Sequence, residues 1–105
     1  MEISEIQKCL RLDKYEISYH AEKERYAENI SLEAIKEAIF NGEVLEDYPD
    51  DRRGPSCLIL GLVNNGPLHV VCGYSAKQWM RIITVYIPQR PKWVNERTRS
   101  RDEKR

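Results

Sequence analysis

Apolar residues recur at helical spacing in the first part of the chain. From Ile3 to Leu10 they lie three and four positions apart, which predicts an amphipathic helix over residues 3–13. Ser18 precedes a charged stretch and is a residue type that commonly caps helix N-termini. We therefore expect a second helix over residues 19–28, with its charged side chains on polar faces.

A third helix has the clearest boundaries. Ser31 is the expected N-cap, and Ile30 just before it can pack against Ile35 four positions into the helix. Asn41-Gly42 marks the end, because glycine readily adopts the conformation that follows a helix C-terminus.

After Gly42 the apolar residues fall into short runs separated by turn residues, a pattern typical of strands. The expected strands are 43–48, 57–63, 68–74 and 80–87, with a hairpin turn between the second and third. Helices followed by a run of strands predict an α+β fold. We expect two to three N-terminal helices packed on a four-stranded antiparallel sheet.

Length and composition limit the class of protein. The 105 residues are 41% hydrophobic, which suits one compact domain, expected over residues 1–93. A run long and apolar enough for a membrane span is absent from the sequence, as is a secretory signal. The three cysteines are scattered and form no C-x-x-C pair, which argues against a disulfide scaffold or a zinc ribbon. We expect a reduced, cytoplasmic protein.

The charges are balanced only over the whole chain, with 17 basic and 17 acidic residues. Residues 90–105 hold seven basic and three acidic residues, a net charge of +4, so residues 1–89 carry −4. A basic end on an acidic body is typical of an interaction arm, and we expect residues 94–105 to form a flexible basic tail. Nucleic-acid binding therefore remains open despite the net charge of zero.

The two histidines are the first candidates for acid–base chemistry. His20 lies in the first turn of the second helix, where the helix dipole favours a neutral ring that can act as a base. Arg25 is five positions further on, close enough to share a rim with His20. The alternative is a surface histidine with an arginine in an ion pair. His69 lies in an apolar strand, where a hydrogen-bonded core residue is the more common role.

The last strand carries the candidates Arg81, Thr84 and Tyr86. An arginine between β-branched residues must reach water, a carboxylate or a phosphate, because burying it unpaired is costly. Strict alternation puts Arg81 on the face opposite Thr84 and Tyr86, unless a bulge, the twist or the strand end turns it. An ion pair to an acidic helix residue is the alternative role for Arg81.

Four acidic residues raise the question of a metal site, but the sequence favours a solvated loop. The acidic residues are Glu46, Asp47, Asp50 and Asp51. Proline and two arginines interrupt this cluster, and no histidine lies nearby at the spacing of a metal ligand. Glycine-rich phosphate loops, G-x-S-x-G and H-E-x-x-H are absent from the sequence. We therefore expect neither a metal nor another cofactor.

An ordered series of short motifs resembles one family. It runs through Ser18-Tyr19-His20-Ala21, Arg25, Ile30-Ser31, Asn41-Gly42-Glu43-Val44, Glu46-Asp47-Tyr48-Pro49, Pro67-Leu68-His69-Val70-Val71, Ile82-Ile83-Thr84-Val85-Tyr86-Ile87-Pro88 and Trp93. The series is similar to the domain of unknown function 4258, a small bacterial family related to RelE-like toxins of toxin–antitoxin pairs. It covers roughly residues 15–93.

The resemblance implies a RelE/barnase-like ribonuclease-toxin fold and RNA cleavage without a metal. It also implies a type II toxin–antitoxin system, in which the neighbouring antitoxin often carries a zinc ribbon with C-x-x-C motifs. Carried over by position, the site residues are His20, Arg25, Arg81 and Tyr86, with His69 and Thr84 as weaker candidates.

The candidate residues suit the chemistry of RNA cleavage, which needs a base, an acid and a cation on the phosphate. Exposed aromatic rings can stack on bases, and a basic tail can follow the RNA backbone. The residues expected to bind RNA are Tyr74, Trp79, Arg97, Arg99 and Arg101. Trp93 is expected to plug the end of the core. The alternative function is a non-catalytic RNA- or protein-binding module of the same fold, in which the tail matters and His20 does not.

Overall fold

The computed structural model describes residues 1–64 and 66–100. Within these residues the chain forms three helices and five strands. In chain order they are α1 (Ile3–Arg11), β1 (Tyr15–Ile17), α2 (Tyr19–Ala27), α3 (Leu32–Phe40), β2 (Glu43–Tyr48), β3 (Ser56–Val63), β4 (Gly66–Tyr74) and β5 (Met80–Tyr86). The α+β class is confirmed, and the first two helices end one or two residues earlier than predicted.

The sheet has five strands in the order β1-β5-β4-β3-β2, so the prediction of four antiparallel strands is wrong. Strands β2 to β5 form the expected antiparallel meander, but β1 pairs with β5 in parallel. The sequence did not reveal β1, because three residues are too short to show a period of two. Its partner lies some sixty positions further along the chain, so no hairpin turn marks the pairing either.

One face of the sheet packs against helices and forms the core. Cys57, Ile59, Val70 and Ile82 are fully buried there, together with the apolar sides of α1 and α3. At Gly61 a Cβ atom would lie only 2.1 Å from the carbonyl oxygen of Ala38 in α3. Helix α3 therefore sits directly on the backbone of β3, which fixes the distance between helix and sheet.

Helix α2 lies along the edge of β5 rather than on the face of the sheet that α1 and α3 cover. Strand β1 covers only the first half of this edge, through the pairs Tyr15–Met80 to Ile17–Ile82. Helix α2 follows directly and continues beside the second half, where its Ala21 enters the core. This arrangement brings the first turn of α2 next to the other face of the sheet, which we call the groove face.

No helix among residues 1–64 and 66–100 is long and apolar enough to cross a membrane.

Candidate functional site

A bulge in β5 brings Arg81 to the groove face. Thr84 pairs with Val71 of β4, whereas Ile82 pairs with the next residue, Cys72, so that Ile83 is the extra residue. An extra residue reverses the alternation of side chains beyond it. Arg81 therefore lies on the same face as Thr84 and Tyr86, and the placement expected from strict alternation is wrong. The bulge is one of the three exceptions that the sequence had left open.

Ser18 joins the bulge to the start of α2. Its backbone N–H donates to the carbonyl of Ile82 at 2.9 Å, and its hydroxyl donates to the carbonyl of Ile83 at 2.9 Å. The same hydroxyl oxygen accepts the N–H of Ala21 at 2.9 Å, so Ser18 is the predicted N-cap. One buried serine thus fixes where the first turn of α2 stands relative to the irregular part of β5.

His20 projects from this first turn and is oriented by Glu24, one helical turn later. His20 Nε2 lies 3.1 Å from Glu24 Oε2, while Glu24 Oε1 accepts the N–H of Val85 at 2.9 Å. The carboxylate thus lies beside Nε2, and Nδ1 is the ring nitrogen that it does not contact. The side chain of His20 is 66% exposed, so its ring is accessible to a ligand.

Two grooves meet at His20 and Thr84, because these two residues line both grooves. The first, the Arg81 groove, has a volume of about 600 Å³; its lining includes Ser18, Asp51, Gly73, Arg81 and Ile83. The second, the Tyr86 groove, has a volume of about 610 Å³; its lining includes Glu24, Tyr86, Arg90, Lys92 and Trp93. Three predicted site residues, His20, Arg81 and Tyr86, therefore border one continuous concave surface.

Arg81 forms an ion pair with Glu16 of β1, its direct neighbour in the parallel pairing. Its Nη1 donates to Glu16 Oε1 at 3.2 Å, and both side chains remain well exposed, at 40% and 37%. The partner is thus a strand residue, not the helix residue considered from the sequence. An ion pair this exposed contributes about 1 kcal/mol at most. A phosphate can therefore displace Glu16 at little cost.

Tyr86 contacts His69, the other histidine, across the β4–β5 pair. His69 is fully buried, and its Nε2 lies 2.8 Å from the carbonyl oxygen of Glu96. Because a carbonyl only accepts, Nε2 carries the proton, and Nδ1 accepts the Tyr86 hydroxyl at 3.2 Å. Burial lowers the pKa of His69 and raises the pKa of Tyr86, so both side chains are neutral at neutral pH.

Arg25 lies apart from both grooves. Its guanidinium pairs with Glu22 at 3.2 Å, donates to the carbonyl of Ile30 at 3.3 Å and lies 4.6 Å from the ring centre of Tyr26. These contacts tie the end of α2 to the loop before α3. The ion pair that was the alternative for Arg25 is present, although the Arg25 side chain is largely buried rather than on the surface.

The C-terminal segment, residues 88–100, folds back across the groove face. Trp93 is buried as expected, but it packs against His69 on the groove face, with ring centres 4.5 Å apart. The Arg99 guanidinium lies 4.5 Å from the ring centre of Trp93 and donates two hydrogen bonds of 2.9 Å to Glu46. Arg97 pairs with Glu43. The described part of the expected tail, residues 94–100, is therefore held against β2 by ion pairs.

The acidic cluster around the β2–β3 connection is divided between separate partners. Glu46 accepts from Arg99 and from the Tyr48 hydroxyl, and the hydrogen bond from Arg99 is the main reason that its pKa is lowered. Asp51 accepts the backbone N–H of Arg53 at 3.0 Å and the hydroxyl of Ser56 at 3.1 Å. Among the residues that the structure describes, no group of three or more His, Cys, Asp or Glu side chains is arranged to hold a metal ion.

The remaining RNA-binding candidates are scattered. Tyr74 borders the Arg81 groove, but its side chain lies on the other face of the sheet, near Glu5 and Cys9 of α1. Trp79 lies in the connection before β5, where the ammonium of Lys77 is 4.3 Å from its ring centre. Arg101 lies outside the described residues.

Sequence reasoning missed Glu16 and Glu24, which hold Arg81 and His20. The spacing of four between His20 and Glu24 in a predicted helix is a signal that would have identified Glu24. Glu16 lies in β1, which the sequence did not reveal, so nothing in the pattern connected it to Arg81.

The sequence matches one known family. The family model described as a domain of unknown function, DUF4258, matches residues 17–87, well over half of the chain. The chain belongs to this family. The matched DUF4258 region contains His20, Glu24, Arg81 and Tyr86, and it ends before the C-terminal segment. Among curated proteins and solved structures, no significant match was found.

Proposed function

We propose that this DUF4258 protein is an endoribonuclease that cleaves RNA without a metal ion. The observation that carries the proposal is the position of His20 where the two grooves meet. A carboxylate orients its ring, and an arginine and a tyrosine border the same concave surface. These are side chains that hydrolyse or transfer phosphodiesters by acid–base and electrostatic catalysis.

In this proposal His20 is the general base. Nδ1 takes the proton of a ribose 2′-hydroxyl, and the 2′-oxygen attacks the adjacent phosphorus. The bond from phosphorus to the 5′-oxygen breaks, and that oxygen takes a proton from solvent in the open groove. The products carry a 2′,3′-cyclic phosphate and a 5′-hydroxyl. Glu24 stabilises the charge that His20 gains, because its carboxylate contacts Nε2.

Arg81 would bind the phosphate that is attacked. Its guanidinium has donors that match two phosphate oxygens, and its present partner Glu16 is held only by a weak, exposed ion pair. Arg90 and Lys92 line the Tyr86 groove and add positive charge where RNA would leave the site. The hydroxyl hydrogen of Tyr86 is directed to His69, so we assign Tyr86 to contacts with the RNA rather than to proton donation.

The cellular role that fits this activity is that of a RelE-like toxin in a type II toxin–antitoxin pair, as the resemblance of the motifs implies. The partner would be a cognate antitoxin, for which a zinc ribbon with C-x-x-C motifs is expected. Expression of the protein without its partner should then arrest growth. Growth should resume with the His20→Ala variant at an equal level of folded protein.

The direct test is incubation of the purified protein with defined RNA in the presence of a chelator. We expect cleavage with 2′,3′-cyclic phosphate ends, and a loss of about 10²–10⁴ in rate for His20→Ala. Arg81→Gln should also be strongly impaired, whereas Arg11→Gln, which removes an equal charge from the exposed part of α1, should not. Absence of cleavage, or full activity in folded His20→Ala, contradicts the proposal.

The second candidate function is a non-catalytic module that binds RNA or a protein. The observation that favours it is the pairing of Arg81 with Glu16, which leaves the groove less cationic than the sequence suggests. In that case the wild-type protein binds RNA without cutting it, and His20→Ala binds equally well.

A further inference from the structure

The row of groove-face residues at Arg81 has an unusual composition. From β2 to β1 it reads Tyr48, Ser56, Gly73, Arg81 and Glu16. The cation is thus separated from Ser56 by a residue without a side chain. Two strand spacings separate Arg81 from Ser56, or about 10 Å. The Arg81 groove lies over this row, and its volume of about 600 Å³ falls in the range of small-molecule sites.

Gly73 keeps the middle of this groove flat. The Ile83 side chain, on the bulge residue, lies across it, and a Cβ at position 73 would lie 2.9 Å from Ile83 Cδ1. Any larger residue would therefore displace the end of the Ile83 side chain. The floor is therefore an apolar surface, with Pro55 on one side. A flat apolar floor suits a planar ring.

A fixed carboxylate stands at the end of the groove away from Arg81. The Arg53 N–H and the Ser56 hydroxyl each hold one oxygen of Asp51, at 3.0 and 3.1 Å, so its orientation is determined by the loop. These hydrogen bonds also lower the pKa of Asp51, which keeps it ionised at neutral pH. The Arg53 guanidinium, which also lines the groove, lies 3.7 Å from Asp51 Oδ1, but its side chain is 90% exposed and free to move aside. Each oxygen of Asp51 retains acceptor capacity for a ligand.

A cation, a flat apolar floor and a carboxylate in this order match the parts of one nucleotide. We propose that the Arg81 groove binds a guanine nucleotide, with the phosphate on Arg81, the ring over Ile83 and the base edge on Asp51. Guanine presents two adjacent donors, N1–H and the N2 amino group, which a carboxylate can accept together. Adenine, cytosine and uracil do not present two adjacent donors. This inference rests on the proposed function and names the nucleotide on one side of the cleaved phosphate.

Binding of mononucleotides tests the subsite independently of cleavage. The four nucleoside 3′-monophosphates would be titrated into the full chain by calorimetry. We expect guanosine 3′-monophosphate to bind about tenfold or more tightly than the adenosine compound, within the range that one bidentate pair supplies. Asp51→Asn should abolish this preference, whereas Asp50→Asn, the exposed neighbour outside the groove, should retain it. Arg81→Gln should weaken the binding of all four nucleotides to a similar extent.

Nuclear magnetic resonance of the wild-type chain provides a measurement that does not depend on variants. Guanosine 3′-monophosphate should shift the Gly73 amide and the Ile83 methyl signals most strongly. Equal affinity for all four nucleotides, shifts centred elsewhere, or a guanine preference that survives in folded Asp51→Asn each overturn the inference. If the nucleotide binds as expected but RNA is not cut, the subsite stands and the proposed function fails. If RNA is cut but guanosine 3′-monophosphate is not preferred, the proposed function stands and the guanine subsite fails.

Discussion

Glu24 is the residue on which the geometry around His20 depends. One of its oxygens is fixed by the N–H of Val85, and the other contacts the imidazole. A carboxylate held by the backbone in this way can keep the ring in one orientation. Because the backbone contact needs only an acceptor, the two functions of Glu24 can be separated by mutation.

We expect Glu24→Gln to lower the rate of RNA cleavage about tenfold or more while the fold is retained. Glutamine still offers an oxygen to Val85 but removes the negative charge that stabilises a protonated His20. The measurement is the initial cleavage rate together with the thermal midpoint. Glu22→Gln is the matched control, because Glu22 lies in the same helix and pairs with Arg25 away from the grooves. Unchanged cleavage in Glu24→Gln would show that the carboxylate has no role in the reaction.

His69 makes the stability of the fold depend on pH. Burial lowers its pKa from the ordinary value of 6.5, so the unfolded chain binds more protons than the folded chain just below that pH. The contribution of the neutral ring is therefore fully present above pH 6.5 and is lost as the pH falls through the folded pKa. The lowered pKa of Glu46 also makes stability fall with decreasing pH, but only at pH values below its ordinary pKa of 4.5.

The expected result is a lower free energy of unfolding at pH 5.5 than at pH 7.5, measured by denaturant titration. His69→Phe should be less stable at both values but should lose much of this difference, since no group is left to take up the proton. His20→Gln is the control, because His20 is exposed and should leave most of the difference in place. An equal difference in wild type and His69→Phe would contradict the assignment.

At the scale of elements, the bulge in β5 and the start of α2 depend on each other. Ser18 caps α2 and also satisfies the carbonyl of Ile83 at the bulge. Ser31 caps α3 with the same geometry, at 3.0 Å from the Ala34 N–H, but is exposed. Comparison of the two serines thus isolates the free-energy contribution of the hydrogen bond from the Ser18 hydroxyl to the Ile83 carbonyl.

We expect Ser31→Ala to cost about 1 kcal/mol, the usual value of an N-cap. Ser18→Ala should cost about 1–3 kcal/mol more, because it leaves the Ile83 carbonyl without its partner. Ser18→Ala should also weaken nucleotide binding, since the bulge sets the direction of Arg81. Free energies of unfolding from denaturant titration give the comparison. Equal losses of unfolding free energy for the two variants would mean that the bulge does not depend on Ser18.

These elements also show how far the sequence could predict the fold and the site. The caps Ser18 and Ser31 were predicted because capping is a local property of a few residues. The short strand β1 and the bulge at Ile83 were not, because both depend on how distant strands pair. The face on which Arg81 lies follows from the bulge, so the arrangement of the candidate site could not be predicted from the sequence, which offers only its residue types.

At the scale of the whole molecule, the folded unit extends past the region that matches the family. The match ends at residue 87, yet Trp93 and the Glu96 carbonyl cover His69 in the middle of the groove face. Arg97 and Arg99 hold this cover to Glu43 and Glu46 of β2. The basic residues that looked like an arm in the sequence thus neutralise part of the acidic body, and Arg90, Lys92 and Arg99 line the Tyr86 groove.

The contacts of the C-terminal segment determine where the chain can be shortened. A chain ending at residue 100 keeps these contacts and should unfold at nearly the wild-type temperature. A chain ending at residue 89 loses Trp93 and uncovers His69, and truncation of a buried tryptophan alone costs about 3–5 kcal/mol. Trp93→Ala should accordingly lower the thermal midpoint, whereas Val94→Ala, at an exposed neighbour, should not. If the chain ending at residue 89 were as stable as wild type, the C-terminal segment would be an arm after all, and its arginines would be available for RNA.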